Sequence, residues 1–235
     1  MDDQEDVPLP TRTWPARLLD GAAAVLPGVG RVRAQKEPFA RAWAAANRAA
    51  PRSGRPVWVA LGDSMTQGIG AADVAGGWVP RLNARLGELF AVVNLSASGA
   101  RVADVLGDQL PRLLALPGRP ALVTVLAGAN DMLTPGRRRG LADRFAALLE
   151  QLPPGRSVVA TLPRRNAAAR AVNALIDTAA DAGRVHVADL RGPALSPVRG
   201  HLADDWFHPN DAGYARIADL FERPVRAVVS LGAAG

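Results

Sequence analysis

The chain has no cysteine, which excludes a disulfide framework, a cysteine-ligated metal site and catalysis by a thiol. Lysine is nearly absent as well: Lys36 stands alone among 28 basic residues, and the others are arginine. There is a single tyrosine, and aromatic residues make up only 5% of the chain. The net charge of +6 is therefore not laid out as basic runs interleaved with aromatics, and no nucleic-acid partner is expected. Long apolar runs are missing too. The stretch Leu18 to Val29 is broken by Asp20, Gly21 and Pro27 and falls short of a bilayer span, so no stable membrane insertion is expected. The opening residues, MDDQED, are acidic where a secretory leader would be positively charged, which points to a cytoplasmic protein.

What is present is the composition of an ordinary globular domain: 49% hydrophobic residues over 235 positions, enough for one core. Residues 1–13 are acidic and proline-bearing and read as a flexible N-terminal arm. Residues 14–55 read as a helical extension packed on the main domain. There, apolar residues recur at helical spacing over Trp14 to Leu26 and Phe39 to Ala50, on either side of a turn-like Pro27-Gly28-Val29-Gly30.

Residues 56–235 form the main domain. Short apolar runs alternate there with helical patterns. The runs are Val57 to Leu61, Val92 to Leu95, Ala121 to Ala127, Ser157 to Leu162 and Val185 to Leu190. Helices are expected over about Trp78 to Leu89, Val102 to Leu116, Arg138 to Leu152, Arg165 to Ala182 and Asp211 to Leu231, the last with Pro224 as a point of breakage. Continuous apolar strands alternating with helices predict a three-layer α/β/α sandwich around a five-stranded parallel sheet, in the flavodoxin-like order 2-1-3-4-5. In such sheets ligands bind beyond the carboxyl ends of the strands.

Chemistry-bearing residues gather at those ends. The first run leads into Gly62-Asp63-Ser64-Met65, the second into Ser96-Ala97-Ser98-Gly99, and the third into Gly128-Ala129-Asn130-Asp131. A fourth block, Asp205-Trp206-Phe207-His208-Pro209, precedes the last helix. Taken singly, Ser64 is an ordinary helix cap, Gly99 a tight turn, Asn130-Asp131 a turn or cap, and His208 a loop residue.

In combination and in this order, from about Val57 to Ala218, the blocks resemble the SGNH (GDSL) hydrolase family, with Met65 where the signature has leucine. The common α/β-hydrolases differ in carrying a Gly-x-Ser-x-Gly elbow and in setting the triad acid and base well apart. The resemblance implies a serine ester hydrolase of esterase or lipase type, working through an acyl-enzyme. Ser64 would be the nucleophile, His208 the base and Asp205 the residue that orients the base, with Asp204 the alternative acid. The implied oxyanion hole consists of the backbone amides of Ser64 and Gly99 and the side chain of Asn130. Asp63 and Asp131 are expected to hold loops together.

The resemblance implies a small-molecule acyl or acetyl ester as substrate. Carbohydrate O-deacetylase and thioesterase chemistry remain open on the same site, as does a non-catalytic binding protein that keeps the fold. Met65, Trp78, Leu133, Trp206 and Phe207 are candidates for an apolar wall around an acyl group. Arg101, Arg137 to Arg139, Arg164, Arg165 and Arg191 follow strands and would suit an anionic substrate. Arg52, Arg55, Arg119, Arg156 and Arg184, on the opposite edge, weaken that reading. His186, inside the fifth run, reads as structural, and His201 lacks an acid three residues before it. A metal centre built from Asp63, Asp131, Asp205 and His208 would lack any His-x-x-x-His pair, and no metal or other cofactor is expected. Gly68-Ile69-Gly70 lacks the third glycine of a dinucleotide fingerprint. Oligomeric state is not legible.

Overall fold

The computed structural model describes residues 27–163, 166–192 and 200–233. The expected arm and the helix over Trp14 to Leu26 lie outside the described residues, as do Arg164 and Arg165. Five parallel strands form one sheet: β1 (Val57–Gly62), β2 (Ala91–Asn94), β3 (Leu122–Leu126), β4 (Ser157–Ala160) and β5 (His186–Ala188). Their order is β2-β1-β3-β4-β5, as the apolar runs predict. Most runs extend past their strands, and Leu95, Ala127, Leu162 and Leu190 stay buried beyond the strand ends.

The helices, in chain order, are α1 (Pro27–Ala34), α2 (Lys36–Ala49), α3 (Ser64–Gln67), α4 (Trp78–Arg85), α5 (Val102–Asp104), α6 (Leu110–Leu114), α7 (Pro135–Arg138), α8 (Leu141–Gln151), α9 (Ala167–Asp181) and α10 (Asp211–Ala233). Between α5 and α6 the chain passes through a π turn, Val105–Gln109. Side chains alternate across the sheet. Val59 and Leu61 of β1 join Val93, Val123, Val125 and Val159 in one core, closed by α5, α6, α8 and α9. Trp58 and Ala60 enter the opposite core with Leu122 and Val158, closed by α2, α4 and α10. The three-layer sandwich follows from this two-sided burial.

Two local expectations are corrected. Pro27-Gly28-Val29-Gly30 is the first part of α1 rather than a turn. Proline is tolerated in a first helical turn, and burial of Val32 against Phe39 and Ile69 offsets the low helix propensity of the glycines. Helix α10 runs through Pro224 without a break. Phe221, Val225 and Val228 are buried in one core on both sides of the proline, and the Glu222–Arg226 ion pair spans it.

Helix α2 also seals the open edge of the sheet. The Asn47 side chain donates to the Asn94 carbonyl at 2.8 Å and accepts the Asn94 N–H at 2.8 Å, occupying ladder positions that an edge strand leaves unpaired. Among the described residues no helix is long and apolar enough to cross a membrane.

Candidate active site

Strand β1 ends at Gly62, and the chain turns at once into the single turn of α3. Asp63 is the N-cap of that turn, its Oδ1 accepting the Met65 N–H at 3.0 Å. Asp63, not Ser64, is therefore the cap, against the reading of Ser64 taken singly. With Asp63 in that role, the Ser64 hydroxyl is left to face His208, whose Nε2 lies 2.9 Å from Ser64 Oγ. The turn is held from several directions. Thr66 Oγ1 donates to the Leu126 carbonyl, Trp43 Nε1 to the Gln67 carbonyl and Asn94 Nδ2 to the Thr66 carbonyl.

His208 arrives on the loop before α10, and Asp205 organises that loop with both oxygens. Oδ1 accepts the backbone N–H groups of Phe207 and His208 at 3.1 and 3.0 Å. Oδ2 lies 2.5 Å from His208 Nδ1. Burial works against the Asp205 carboxylate, but the hydrogen bonds from the His208 ring and from these two amides outweigh it and hold the pKa below the ordinary value. Phe207 sets its ring edge-on to the imidazole, with centroids 4.9 Å apart. Asp204 points elsewhere, pairing with Arg31 at 2.7 Å.

The structure thus brings Ser64, His208 and Asp205 into one hydrogen-bonded chain. Gly99 and Asn130 lie on the neighbouring strand-end loops. Gly99 has φ +83°, a left-handed conformation that side chains disfavour. Asn130 Nδ2 donates to the Ala100 carbonyl at 3.0 Å and lies 3.4 Å from Asp63 Oδ2, tying the three loops together. Asp131 reaches the same loop from the next position, Oδ2 accepting the Val102 N–H at 3.0 Å. Asp63 and Asp131 are both buried. Burial pushes the Asp63 carboxyl up to about 7, against the opposing pull of the Met65 amide and His208. It raises Asp131 as well, opposed by the Val102 amide and Arg144.

A cleft of about 620 Å³ opens next to the turns that carry Ser64 and His208, although neither of these two residues lines it. Their chain neighbours Met65, Phe207 and Pro209 line it, and Leu126, Leu162, Leu190 and Ile217 carry the wall across the ends of β3, β4 and β5 to α10. Of the expected apolar wall, Met65, Trp206 and Phe207 are in place. Trp78 is not: it is fully buried, stacked on Phe221 with centroids 4.2 Å apart. Leu133 is exposed outside the cleft wall.

The arginines are largely engaged with the protein. Arg191 binds Asp189 and Asp177, Arg138 donates twice to the Met132 carbonyl, and Arg101 pairs with Asp104. Arg137 donates to the Asn130 carbonyl at 3.4 Å. His186 sits on β5 and His201 in the cleft wall. Among the described residues no cluster of three or more His, Cys, Asp or Glu side chains could hold a metal ion.

Sequence reasoning missed Gln109, whose side-chain amide pairs with the Gly62 backbone, and Gln35, which pairs with Gly70 and Ala71. Each is a side chain bonded to a distant backbone, and no local pattern marks such a pair. The elevated Asp63 carboxyl was likewise hidden, since it depends on burial.

The overall architecture is similar to that of several solved structures. TesA shares 24% identity over 73% of this chain and 99% of its own, with a TM-score of 0.57. The family 3 carbohydrate esterase of Clostridium thermocellum shares 20% over 75% of this chain and 98% of its own, with a TM-score of 0.57. The lipase/acylhydrolase from Enterococcus faecalis shares 18% over 73% of this chain and 95% of its own, with a TM-score of 0.57. At these identities the likeness is one of fold. No curated protein sequence matches the chain. The model of the GDSL-like lipase/acylhydrolase family matches residues 60–216, from the strand that leads into Ser64 through the His208 loop into α10, and the chain therefore belongs to that family of hydrolases.

Proposed function

We propose that the protein hydrolyses small-molecule carboxylic esters through an acyl-enzyme on Ser64. The observation that carries this reading is the chain of contacts from Ser64 Oγ to His208 Nε2 at 2.9 Å and from His208 Nδ1 to Asp205 Oδ2 at 2.5 Å. A serine hydroxyl is a weak nucleophile until an adjacent base accepts its proton. His208 takes that proton as Ser64 Oγ attacks the ester carbonyl, and Asp205 fixes the tautomer and stabilises the imidazolium. His208 then protonates the departing alkoxide. In the second half it activates water against the acyl-enzyme, which releases the acid and restores Ser64.

The negative charge that forms on the carbonyl oxygen is assigned to the N–H groups of Ser64 and Gly99 and to Asn130 Nδ2. The Ser64 N–H is the first of its helix and has no intrahelical acceptor. The Asn130 amide carries two hydrogens: the Ala100 carbonyl holds one at 3.0 Å, and the other, on a long 3.4 Å bond to Asp63 Oδ2, is the one that would turn to the oxyanion. Removing one such donor costs about 2.7–4 kcal/mol of barrier lowering in comparable sites.

The cleft favours an apolar acyl group, since its wall is built chiefly from aliphatic and aromatic side chains. Of the two arginines in that wall, Arg191 and Arg216, Arg191 is already paired with two carboxylates and so lends an anionic substrate no support. Hydrolysis of p-nitrophenyl esters from acetyl to decanoyl, by wild type and by Ser64→Ala, tests both statements. Activity that survives Ser64→Ala removes the mechanism. A matching thioester series separates thioesterase from esterase action, and a preference for acetyl over longer chains would favour a deacetylase.

A further inference from the structure

Helix α1 lies outside the residues matched by the family model, yet it packs on the loop that carries Asp205 and His208. An added Cβ on Gly28 would meet Asp204 Cβ at 2.6 Å and the Asp204 carbonyl oxygen at 2.9 Å, so helix and loop touch backbone to backbone. One turn further along, Arg31 Nη2 is 2.7 Å from Asp204 Oδ2. On the inner face, Val32 is buried with Phe39 and Ile69 against Ala203. At the helix end Gln35 accepts the Gly70 N–H and donates to the Ala71 carbonyl, both at 2.8 Å. Gly70 in turn lies so close to the loop that a Cβ there would meet the Pro209 carbonyl at 2.4 Å and His208 Cβ at 2.8 Å.

From α1 to Gln35, then, one short segment touches Ala203 and Asp204 immediately before Asp205, and grips Gly70 immediately behind His208. We propose that α1 is a positioning brace that sets the Asp205–His208 loop against Ser64, so that Gly28, Arg31, Val32 and Gln35 act on the reaction through that loop. This rests on the reading of Ser64, His208 and Asp205 given above. The geometry is the kind on which rate depends steeply, because a displacement near 1 Å at a catalytic group costs on the order of 100-fold. The brace also makes the N-terminal segment a handle on activity, since a strain applied to α1 is delivered to Asp204.

Charge reversal tests the brace with little risk to folding, because the Arg31 and Asp204 side chains are 74% and 60% exposed. Arg31→Glu sets like charges against each other beside Asp205, and kcat is expected to fall about two- to fivefold at low ionic strength, the range of an exposed pair. The loss should shrink at high salt as the repulsion is screened. KM should stay near wild type, and the swap Arg31→Glu/Asp204→Arg should restore kcat. Gln35→Ala, which releases Gly70, is expected to lower kcat by roughly 10- to 100-fold, read at a temperature where its unfolding curve shows the chain folded.

If kcat is unchanged in Arg31→Glu at every salt concentration and also in folded Gln35→Ala, the brace is wrong. A fall that neither salt nor the charge swap relieves assigns α1 a purely structural role and overturns the proposal equally. Ser64→Ala separates the two readings. If it stays active, the underlying reaction scheme fails, whereas an inactive Ser64→Ala beside unaffected brace variants removes the brace alone.

Discussion

The side chain of Gln109 closes two hydrogen bonds on the backbone of Gly62, Oε1 accepting its N–H at 2.8 Å and Nε2 donating to its carbonyl at 2.8 Å. The pairing of β1 with β2 stops at Ala60 and Asn94, so on that side of Gly62 the Gln109 amide takes over much of what a strand would supply. The π turn Val105–Gln109 places it there, and such turns recur near functional positions. Gln109→Leu keeps the bulk but leaves the buried Gly62 N–H without its partner and its carbonyl with only the Ala97 N–H at 3.3 Å. Loss of a partner in such a setting costs about 1–3 kcal/mol. Urea unfolding should show a loss of about that size, and kcat should fall as well, because Gly62 is two residues from Ser64.

The sheet was legible because its strands are buried on both faces and read as apolar runs. Connection rules leave few strand orders, of which the flavodoxin-like one is that observed, and the blocks at Ser64, Gly99, Asn130 and His208 stand out by their order along the chain. Contacts that depend on a distant partner were not legible. Gln35, Asn47 and Gln109 each complete a backbone pair from far along the chain, and an isolated glutamine or asparagine carries no sign of that. Gly28 was misread because a glycine that allows close packing looks, in sequence, like a glycine that makes a turn. Trp78 was misread because an aromatic residue near the strand ends serves core and cleft equally well until burial is known.

Asp63 gives stability a specific dependence on pH. Burial lifts its folded-state pKa to about 7 from 3.8, so between these values the folded chain holds a proton that the unfolded chain has released. Stability contributed at this site therefore falls as pH rises through that window, by up to about 1.4 kcal/mol per unit, and levels off above it. Asp63→Asn keeps an acceptor for the Met65 amide and cannot ionise. The stability difference between Asp63→Asn and wild type should grow in favour of the variant from pH 4 to 7 and then stay constant. Parallel denaturation profiles across that range would show that Asp63 does not carry the effect.

The two adjacent carboxylates before His208 are distinguishable by kinetics. Asp205 faces the imidazole and Asp204 faces Arg31. Asp205→Asn is expected to reduce kcat by about 10⁴-fold with the fold intact, the scale seen when an orienting acid is lost from a serine triad. Asp204→Asn should reduce it by less than tenfold, as befits an exposed ion pair that acts through the loop. Comparable losses in the two variants would mean that the acid has been misassigned.

Trp206 joins a strained backbone to an exposed apolar surface, and the combination is informative. Its φ is +56°, a conformation that costs an L-residue about 1–2 kcal/mol, and the residue is 81% exposed. Neither property helps the fold, so stability alone gives no account of a tryptophan here. The residue borders the cleft, however, directly between Asp205 and Phe207. An acyl chain leaving Ser64 along that wall would cover the indole, and each methylene buried contributes about 0.8 kcal/mol, close to a fourfold change in kcat/KM. Trp206→Asn relieves the backbone, because asparagine tolerates the left-handed region, while removing the apolar surface. The variant should unfold at about 1 kcal/mol higher free energy than wild type. Its kcat/KM should fall for octanoyl and decanoyl esters and stay near wild type for acetyl esters, which flattens the chain-length profile. An equal loss on all chain lengths would instead place Trp206 in support of the Asp205 loop, and a variant less stable than wild type would show that the strained conformation is stabilised by contacts of the indole itself.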